Sequence, residues 1–302
     1  MSLSAAQIDS YRKQGYLMLE SVLDAATVAE MREVIARLLA GARGLERHTE
    51  VYDLEDSHRP EAPRVRRIKA PHSHTPFFDR LVRSAAVLEP VRQLIGPNVR
   101  LQNSKLNLKS AGYGAAVEWH QDWAFYPHTN DDILAIGILA NDVDEENGPL
   151  MVVPGSHRGP LFDHHNEGTF CGAIDLAAAG IDIGKAVKLT GPAGSMSLHH
   201  VRMVHGSDLN RSGRDRGLLL YELCAGDAWP LAGTLTPYGD YAAFQAKLLC
   251  GEASNQPRMT AVPVRIPAPL PADASSIYQT QTNAARRHFG TLAEQPAVAV
   301  AR

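Results

Sequence analysis

His120 and Asp122 stand two residues apart in the run Val117-Glu118-Trp119-His120-Gln121-Asp122. On an extended strand, residues i and i+2 point to the same side, so an imidazole nitrogen and a carboxylate oxygen are expected to reach one point. A pair of this kind needs a third donor to hold a metal, and His199, His200 and His205 offer candidates on a later strand-like stretch. Two imidazoles and one carboxylate on one face of an octahedral ion leave the other positions open, the arrangement used by non-haem Fe(II) oxygenases. An HxD pair alone is a weak signal, because polar residues at this spacing are usually surface or hydrogen-bonded groups.

Its context strengthens the case. His205 opens the run His205-Gly206-Ser207-Asp208-Leu209-Asn210-Arg211-Ser212-Gly213-Arg214-Asp215-Arg216. If the strand holding His205 turns at Asn210–Gly213 and returns, Arg216 starts the neighbouring antiparallel strand. A guanidinium stays charged when buried and grips a carboxylate through two parallel N–H bonds. A metal beside a buried arginine therefore suits a 2-oxoacid with a distal carboxylate. In Val99–Lys109, the residues Asn103, Lys105, Asn107 and Lys109 alternate while Leu106 and Leu108 fall on the other face. The polar face is either a solvated sheet surface or the inner wall of a barrel that holds a charged cosubstrate.

The elements that must position these residues are short strands. Beta-type runs recur at Val99–Lys109, Ala116–Asp122, Ile133–Val143, Leu150–Val153, Ala186–Leu189, Ser195–Val204 and Gly217–Leu223, punctuated by turns such as Asn147-Gly148-Pro149 and Pro154-Gly155. This pattern predicts a sandwich, barrel or jelly roll, and the lack of βαβ alternation or GxGxxG disfavours a Rossmann fold. The first hundred residues read mostly as helix. Ser4 with Gln7 makes a capping box and Gly15 a stop. Asp24 caps a second helix bearing Val28, Met31, Val34, Ile35, Leu38 and Leu39, ended by Gly41, and a third is predicted over Phe77 to Ile95. Arg43 to His74 reads as a loop whose basic patch, Arg64, Arg66, Arg67 and Lys69, is a solvated face or a grip for an anionic substrate.

Composition narrows the class. The 302 residues are 44% hydrophobic with a net charge of -3, which excludes disorder and offers no basic footprint for nucleic acid. No apolar run approaches the roughly 20 residues that span a bilayer, and the polar start MSLSAAQIDSYRKQ gives the expectation of no secretory leader. Three cysteines, Cys171, Cys224 and Cys250, few and widely spaced, point to reduced thiols and the cytoplasm. No CxxC supports a zinc knot.

Taken together, His120-Gln121-Asp122, Asn147-Gly148-Pro149-Leu150, Pro154-Gly155-Ser156-His157 and His205-Gly206-Ser207 with Arg216 eleven residues on resemble the phytanoyl-CoA dioxygenase family over roughly residues 5–225. The resemblance implies a mainly β double-stranded β-helix (jelly-roll, cupin-like) core with flanking helices. It implies one oxygenase domain over 1–302: a helical layer 1–97, a core 98–226 and an extension 227–302 of unknown role. It further implies an Fe(II)- and 2-oxoglutarate-dependent dioxygenase that uses O2, hydroxylates an unactivated C–H of a small organic substrate and releases succinate and CO2, with ascorbate as a stimulant. By this likeness His120, Asp122 and His205 are the iron ligands. Arg216 takes the distal carboxylate of 2-oxoglutarate with help from Ser207, and Asn103, Lys105 and Asn107 form the cosubstrate wall. Related halogenases carry a small residue in place of the carboxylate, so Asp122 favours hydroxylation.

Trp123, Phe125, Tyr126 and His128 follow the HxD strand and are expected at the substrate mouth, with ordinary packing as the alternative for Trp123 and Phe125. Ser156 and His157 end a turn that either meets substrate or fixes the loop. His164 and His165 sit in a Gly-flanked loop read as a surface loop or a lid. His200, five residues before His205, falls on the opposite face of a pleated strand and reads as a packed histidine. Two other readings remain open at this level: a zinc or manganese hydrolase on the same ligands, which has no use for Arg216, and a non-catalytic cupin-like small-molecule-binding protein. Oligomeric state is not readable.

Overall fold

A computed structural model of the chain describes residues 2–112, 114–232 and 240–290. Two antiparallel sheets form its centre. The larger has eight strands, in the order Tyr16–Leu19, Met196–His200, Ile133–Leu139, Arg216–Ala225, Val99–Lys109, Val65–Lys69 and Tyr52–Leu54, with Leu248–Cys250 also paired to Val99–Lys109. The smaller has four, in the order Val187–Leu189, Leu150–Val152, His205–Ser207 and Val117–His120. The chain crosses between the sheets repeatedly, as the jelly roll requires.

The large sheet has one apolar and one polar face, and this decides where the site lies. Leu101, Leu106 and Leu108 join Leu134, Ile136, Ile138, Leu219 and Tyr221 in a core with Val28, Met31, Phe78, Val87 and Val91 of the helices. The opposite face, carrying Lys105, Asn107, Lys109, Ala135 and Arg216, lines a cavity whose other wall is His120, His205 and Ser207 of the small sheet. The alternation in Val99–Lys109 is thus an inner wall, because helices cover the leucine side.

Those helices form as their caps direct. Ser4 and Gln7 exchange a capping box at Ala5–Gln14, and Gly15 closes that helix at φ 82°. A Cβ at Gly15 would meet Met203 Sδ at 2.3 Å, so glycine is required by both backbone and space. Asp24 accepts from Thr27 N at 2.8 Å and starts Ala25–Ala40, which buries Val28, Met31, Val34 and Ile35.

Several expectations are corrected. The predicted helix over Phe77 to Ile95 is two, Pro76–Val82 and Ala85–Ile95, separated at Arg83-Ser84, where Ser84 supplies the extended N-cap backbone of the second. The stretch Arg43 to His74 contains strands Tyr52–Leu54 and Val65–Lys69 and a helical turn Pro71–His74. Its basic patch is no solvated face: Arg66 and Arg67 are each 7% exposed, because Val65–Lys69 pairs with Val99–Lys109. The predicted strand Ser195–Val204 ends at His200, and a turn separates it from His205–Ser207 in the other sheet. Arg216 accordingly starts a strand of the large sheet, paired with Val99–Lys109 and Ile133–Leu139, and faces the His205 strand instead of neighbouring it.

From Gln256 onward the described chain runs back over the open end of the core. Trp123 Nε1 donates to Pro263 O at 2.7 Å, Phe170 N to Pro269 O at 2.9 Å, and Phe289 stacks on Trp119 at 5.9 Å. This strap was unreadable from sequence because each of its contacts is with residues far away in the chain.

Candidate active site

His205 lies directly opposite His120 across the antiparallel pair formed by His205–Ser207 and Val117–His120. Facing residues on one side of such a pair bring their side chains together, and the two rings are 4.1 Å apart. Each ring is turned by its own backbone: His120 Nδ1 bonds Glu118 O at 2.7 Å and His205 Nδ1 bonds Met203 O at 3.0 Å. With Nδ1 donating, Nε2 is left as an acceptor, which is how a metal-ligating histidine is prepared.

Asp122 reaches the same point by a different route from the strand alternation expected of it. The strand ends at His120, and Asp122 begins a 3-10 turn, Asp122–Ala124. Gln121 secures that turn: its N–H donates to His164 Nε2 at 2.9 Å, and its amide donates to Arg202 O at 2.9 Å and Pro160 O at 3.1 Å. His164 is therefore a buried anchor of the turn, not part of an exposed lid, and burial brings its pKa down to about 3. Asp122 Oδ1 lies 3.6 Å from His120 Nε2 and Oδ2 lies 4.0 Å from His205 Nε2.

The three donor atoms fall within 4.8 Å of one another, the single such group among the described residues. Burial acts to raise the Asp122 pKa, but Lys105, His120, His199 and His205 together hold it well below the usual carboxylate range. Burial lowers His205, with His120 and His199 adding to it. A carboxylate facing two imidazoles whose Nδ1 atoms are already committed to backbone carbonyls is a donor set that fits a divalent iron.

Beyond this triad the cavity ends in two cations. Arg216 and Lys109 are opposite each other on adjacent strands and are 2% and 1% exposed. Arg216 Nη2 donates to Gly148 O, while its Nε and Nη1 have no partner. Lys109 Nζ donates to Ser207 Oγ at 2.9 Å and to Asp208 O. Burial brings Arg216 down to about 10, and burial with repulsion from Arg216 takes Lys109 well below its ordinary value. Two buried basic groups that form no ion pair with a carboxylate, one keeping free donors, form a pocket for an anion. Gly148 shapes its floor: it has φ 74°, and a Cβ there would meet Asp208 O at 2.7 Å.

Lys109 was not singled out from the sequence, although it shares the alternating face with Asn103, Lys105 and Asn107. Asn107 accepts from Arg67 Nε at 2.9 Å. Lys105 is ion-paired with Glu222. Asn103 lines the outer vestibule and not the inner cavity.

That vestibule adjoins the inner cavity through Asp122, Lys105, Glu222 and Arg67 and is roofed by the strap at Ile266, Leu270 and Ile277. Tyr126 and Phe125 line it, with Tyr126 pushed well above its usual pKa by burial and by Asp122 and Glu222. The other mouth candidates lie elsewhere. Trp123 is fully buried in a packing cluster. His128 Nδ1 bonds Tyr126 O at 2.7 Å beneath it. Ser156 Oγ accepts from Val204 N at 2.8 Å, and His157 Nε2 bonds Arg12 O at 3.2 Å. Of the basic patch, only Arg67 is on these walls: Arg66 pairs with Asp53 at 3.0 Å and Lys69 Nζ donates to Thr49 O at 2.9 Å. Ile277 and Tyr278, from the strap, complete the inner cavity, and no sequence signal pointed to them.

Comparison with known proteins bears on what such a site does. The sequence model of the family described as phytanoyl-CoA dioxygenase (PhyH) matches residues 11–218. A probable alpha-ketoglutarate-dependent hypophosphite dioxygenase of Stutzerimonas stutzeri is 38% identical over 289 residues, covering 94% of this chain and 99% of that protein. An L-proline trans-4-hydroxylase of Streptomyces griseoviridis is 33% identical over 243 residues, covering 73% and 87%. The crystal structure of EctD from S. alaskensis with 2-oxoglutarate and 5-hydroxyectoine matches with a TM-score of 0.62 at 27% identity, covering 74% of this chain and 76% of that one.

Proposed function

The chain belongs to the phytanoyl-CoA dioxygenase family and is a 2-oxoglutarate-dependent non-haem iron oxygenase; from that premise we propose that His120, Asp122 and His205 hold its iron and that Arg216 holds 2-oxoglutarate. The observation that carries this reading is the cross-strand pair of imidazoles, both with Nδ1 committed to backbone carbonyls, facing one carboxylate. When bound, iron and 2-oxoglutarate supply the oxidising chemistry, in which O2 is consumed, 2-oxoglutarate becomes succinate and CO2, and a C–H of a small substrate becomes C–OH. Hydrolase and non-catalytic readings leave the cation pair Arg216 and Lys109 without a purpose.

The residues have distinct tasks. Arg216 turns its remaining N–H donors to the distal carboxylate, Lys109 orients Ser207 Oγ, and Asn107 and Lys105 continue the wall toward the metal. The described part of the strap, from Gln256 to residue 290, roofs the vestibule and would limit the entry of water there, which supports reading the chain as one oxygenase domain. Arg67 and Lys105 on the vestibule wall support a small substrate with an anionic group, and Tyr126 lines the same vestibule beside Asp122 and Glu222. A second reading, hypophosphite itself with hydroxylation at P–H, is favoured by the relative that this chain matches over nearly its whole length.

Among the described residues no helix is long and apolar enough to cross a membrane. With free thiols at Cys171, Cys224 and Cys250, the proposed setting is the cytoplasm, without nucleic acid or membrane as partner.

Anaerobic addition of Fe(II) and then 2-oxoglutarate to the metal-free protein tests the site. The expected result is a visible metal-to-ligand charge-transfer band, abolished when His120 and His205 are both replaced by Ala. A wild-type protein without the band, or a variant that keeps it, refutes the assignment. Succinate release with hypophosphite set against proline and ectoine then separates the two substrate readings.

A further inference from the structure

His199 is 1% exposed, and neither of its ring nitrogens has a hydrogen-bond partner. A buried polar group left unpaired is destabilising, so an unpaired imidazole in the interior calls for a partner in the working state. Its ring is 4.6 Å from that of His205, and it lines the inner cavity beside Ala135, Leu218 and Leu220. Apolar residues suffice at those neighbouring positions. His199 is not one of the three donors gathered within 4.8 Å of one another.

Its Nε2 lies 3.9 Å from Asp122 Oδ2. Asp122 turns Oδ1 toward His120 and Oδ2 toward His205 and His199. A carboxylate that gives one oxygen to a metal has a second that either binds as well, occupying a position the cosubstrate needs, or must be satisfied by a donor. The sheet places a donor there. His199 pairs with Ala135, and Ala135 pairs with Glu222, so the small alanine leaves His199 free to lean toward Asp122. Glu222 has its own partner in Lys105. Tyr126 approaches Asp122 and Glu222 from the vestibule, and His199 approaches from the inner cavity.

We propose that His199 is a positioning residue: it donates from Nε2–H to the Asp122 oxygen that is not on the iron, fixing the carboxylate as a one-oxygen ligand. This rests on the reading of His120, Asp122 and His205 as the iron site. Partners of metal ligands typically change metal affinity by about 10–100-fold when removed.

His199→Phe keeps the ring and removes the donor. It is expected to weaken Fe(II) binding at least about tenfold and to shift the charge-transfer band of the Fe(II)–2-oxoglutarate complex. His199→Gln, whose amide can donate over a similar reach, is expected to restore affinity to within about threefold. Should the Phe variant fail to fold, His199→Asn, whose amide stops short of Asp122, carries the same expected loss. Affinity and band unchanged in His199→Phe, with a normal band in the wild type, overturn this inference alone. A wild type lacking the band overturns the iron-site reading and this inference with it.

Discussion

Replacing Arg216 by Met moves cosubstrate binding and stability in opposite directions. The guanidinium is 2% exposed, with Nε and Nη1 unpartnered and Nη2 donating to Gly148 O. Burial brings its pKa from 12.5 to about 10. At neutral pH the group is protonated in both folded and unfolded chains, so the full difference is present as roughly 3 kcal/mol of destabilisation. Methionine removes that cost while its unbranched stem fills most of the space, and losing the bond to Gly148 O gives back about 1–2 kcal/mol. The balance is a cosubstrate-free protein about 1–2 kcal/mol more stable, a rise of a few degrees in Tm.

Binding responds the other way. A two-bond contact to a carboxylate is worth about 1.5–3 kcal/mol per bond, so the 2-oxoglutarate Kd should rise by roughly 10²–10⁴-fold. Anaerobic calorimetric titration with 2-oxoglutarate in the presence of Fe(II) gives the Kd, and thermal melts with and without cosubstrate give the stability. Binding within about threefold of wild type, or a cosubstrate-free variant that melts several degrees below wild type, refutes the assignment of Arg216 as an uncompensated anion anchor.

Two further outcomes follow from other parts of the fold. Burial brings the pKa of His128 to about 4 and of His164 to about 3, from an ordinary 6.5. The unfolded chain therefore takes up protons below pH 6.5 that the folded chain refuses. Stability should be complete above that value and decline by several kcal/mol as pH falls toward about 4; a urea midpoint that is flat over this window contradicts the buried neutral histidines. Gln281→Ala loosens the strap on the core, removing bonds to Glu118 N at 3.0 Å, Gly172 O at 2.9 Å and Glu118 O at 3.3 Å. A loss of about 2–4 kcal/mol in urea unfolding and a raised substrate KM are expected, and an unchanged midpoint with unchanged KM shows that the strap is no cover.

Legibility differed sharply along the chain. The helix caps at Ser4 and Asp24 were readable because a cap is a local bargain between a side chain and backbone three residues away. The strand Val99–Lys109 was readable for the same reason, its alternation being a two-residue property. Its facing was not: the same pattern suits a solvated surface, and only the helices packed on Leu106 and Leu108 turn Lys105, Asn107 and Lys109 inward. Arg66 and Arg67 were misread as a solvated loop because pairing of Val65–Lys69 with a distant strand cannot be inferred from local polarity.

The amino-acid sequence by itself determined the donor types, the HxD spacing and the turn residues around His205 and Arg216, since these are fixed by chemistry and by near neighbours. Tertiary structure alone decided that His205 faces His120, that Asp122 arrives through a turn held by Gln121 and His164, that Arg216 stands beside Lys109, and that the C-terminal strap covers the mouth. The physical reason is range: strand register and strap docking depend on contacts between residues up to 231 positions apart, and no periodicity in the chain encodes which of many possible pairings buries the most surface.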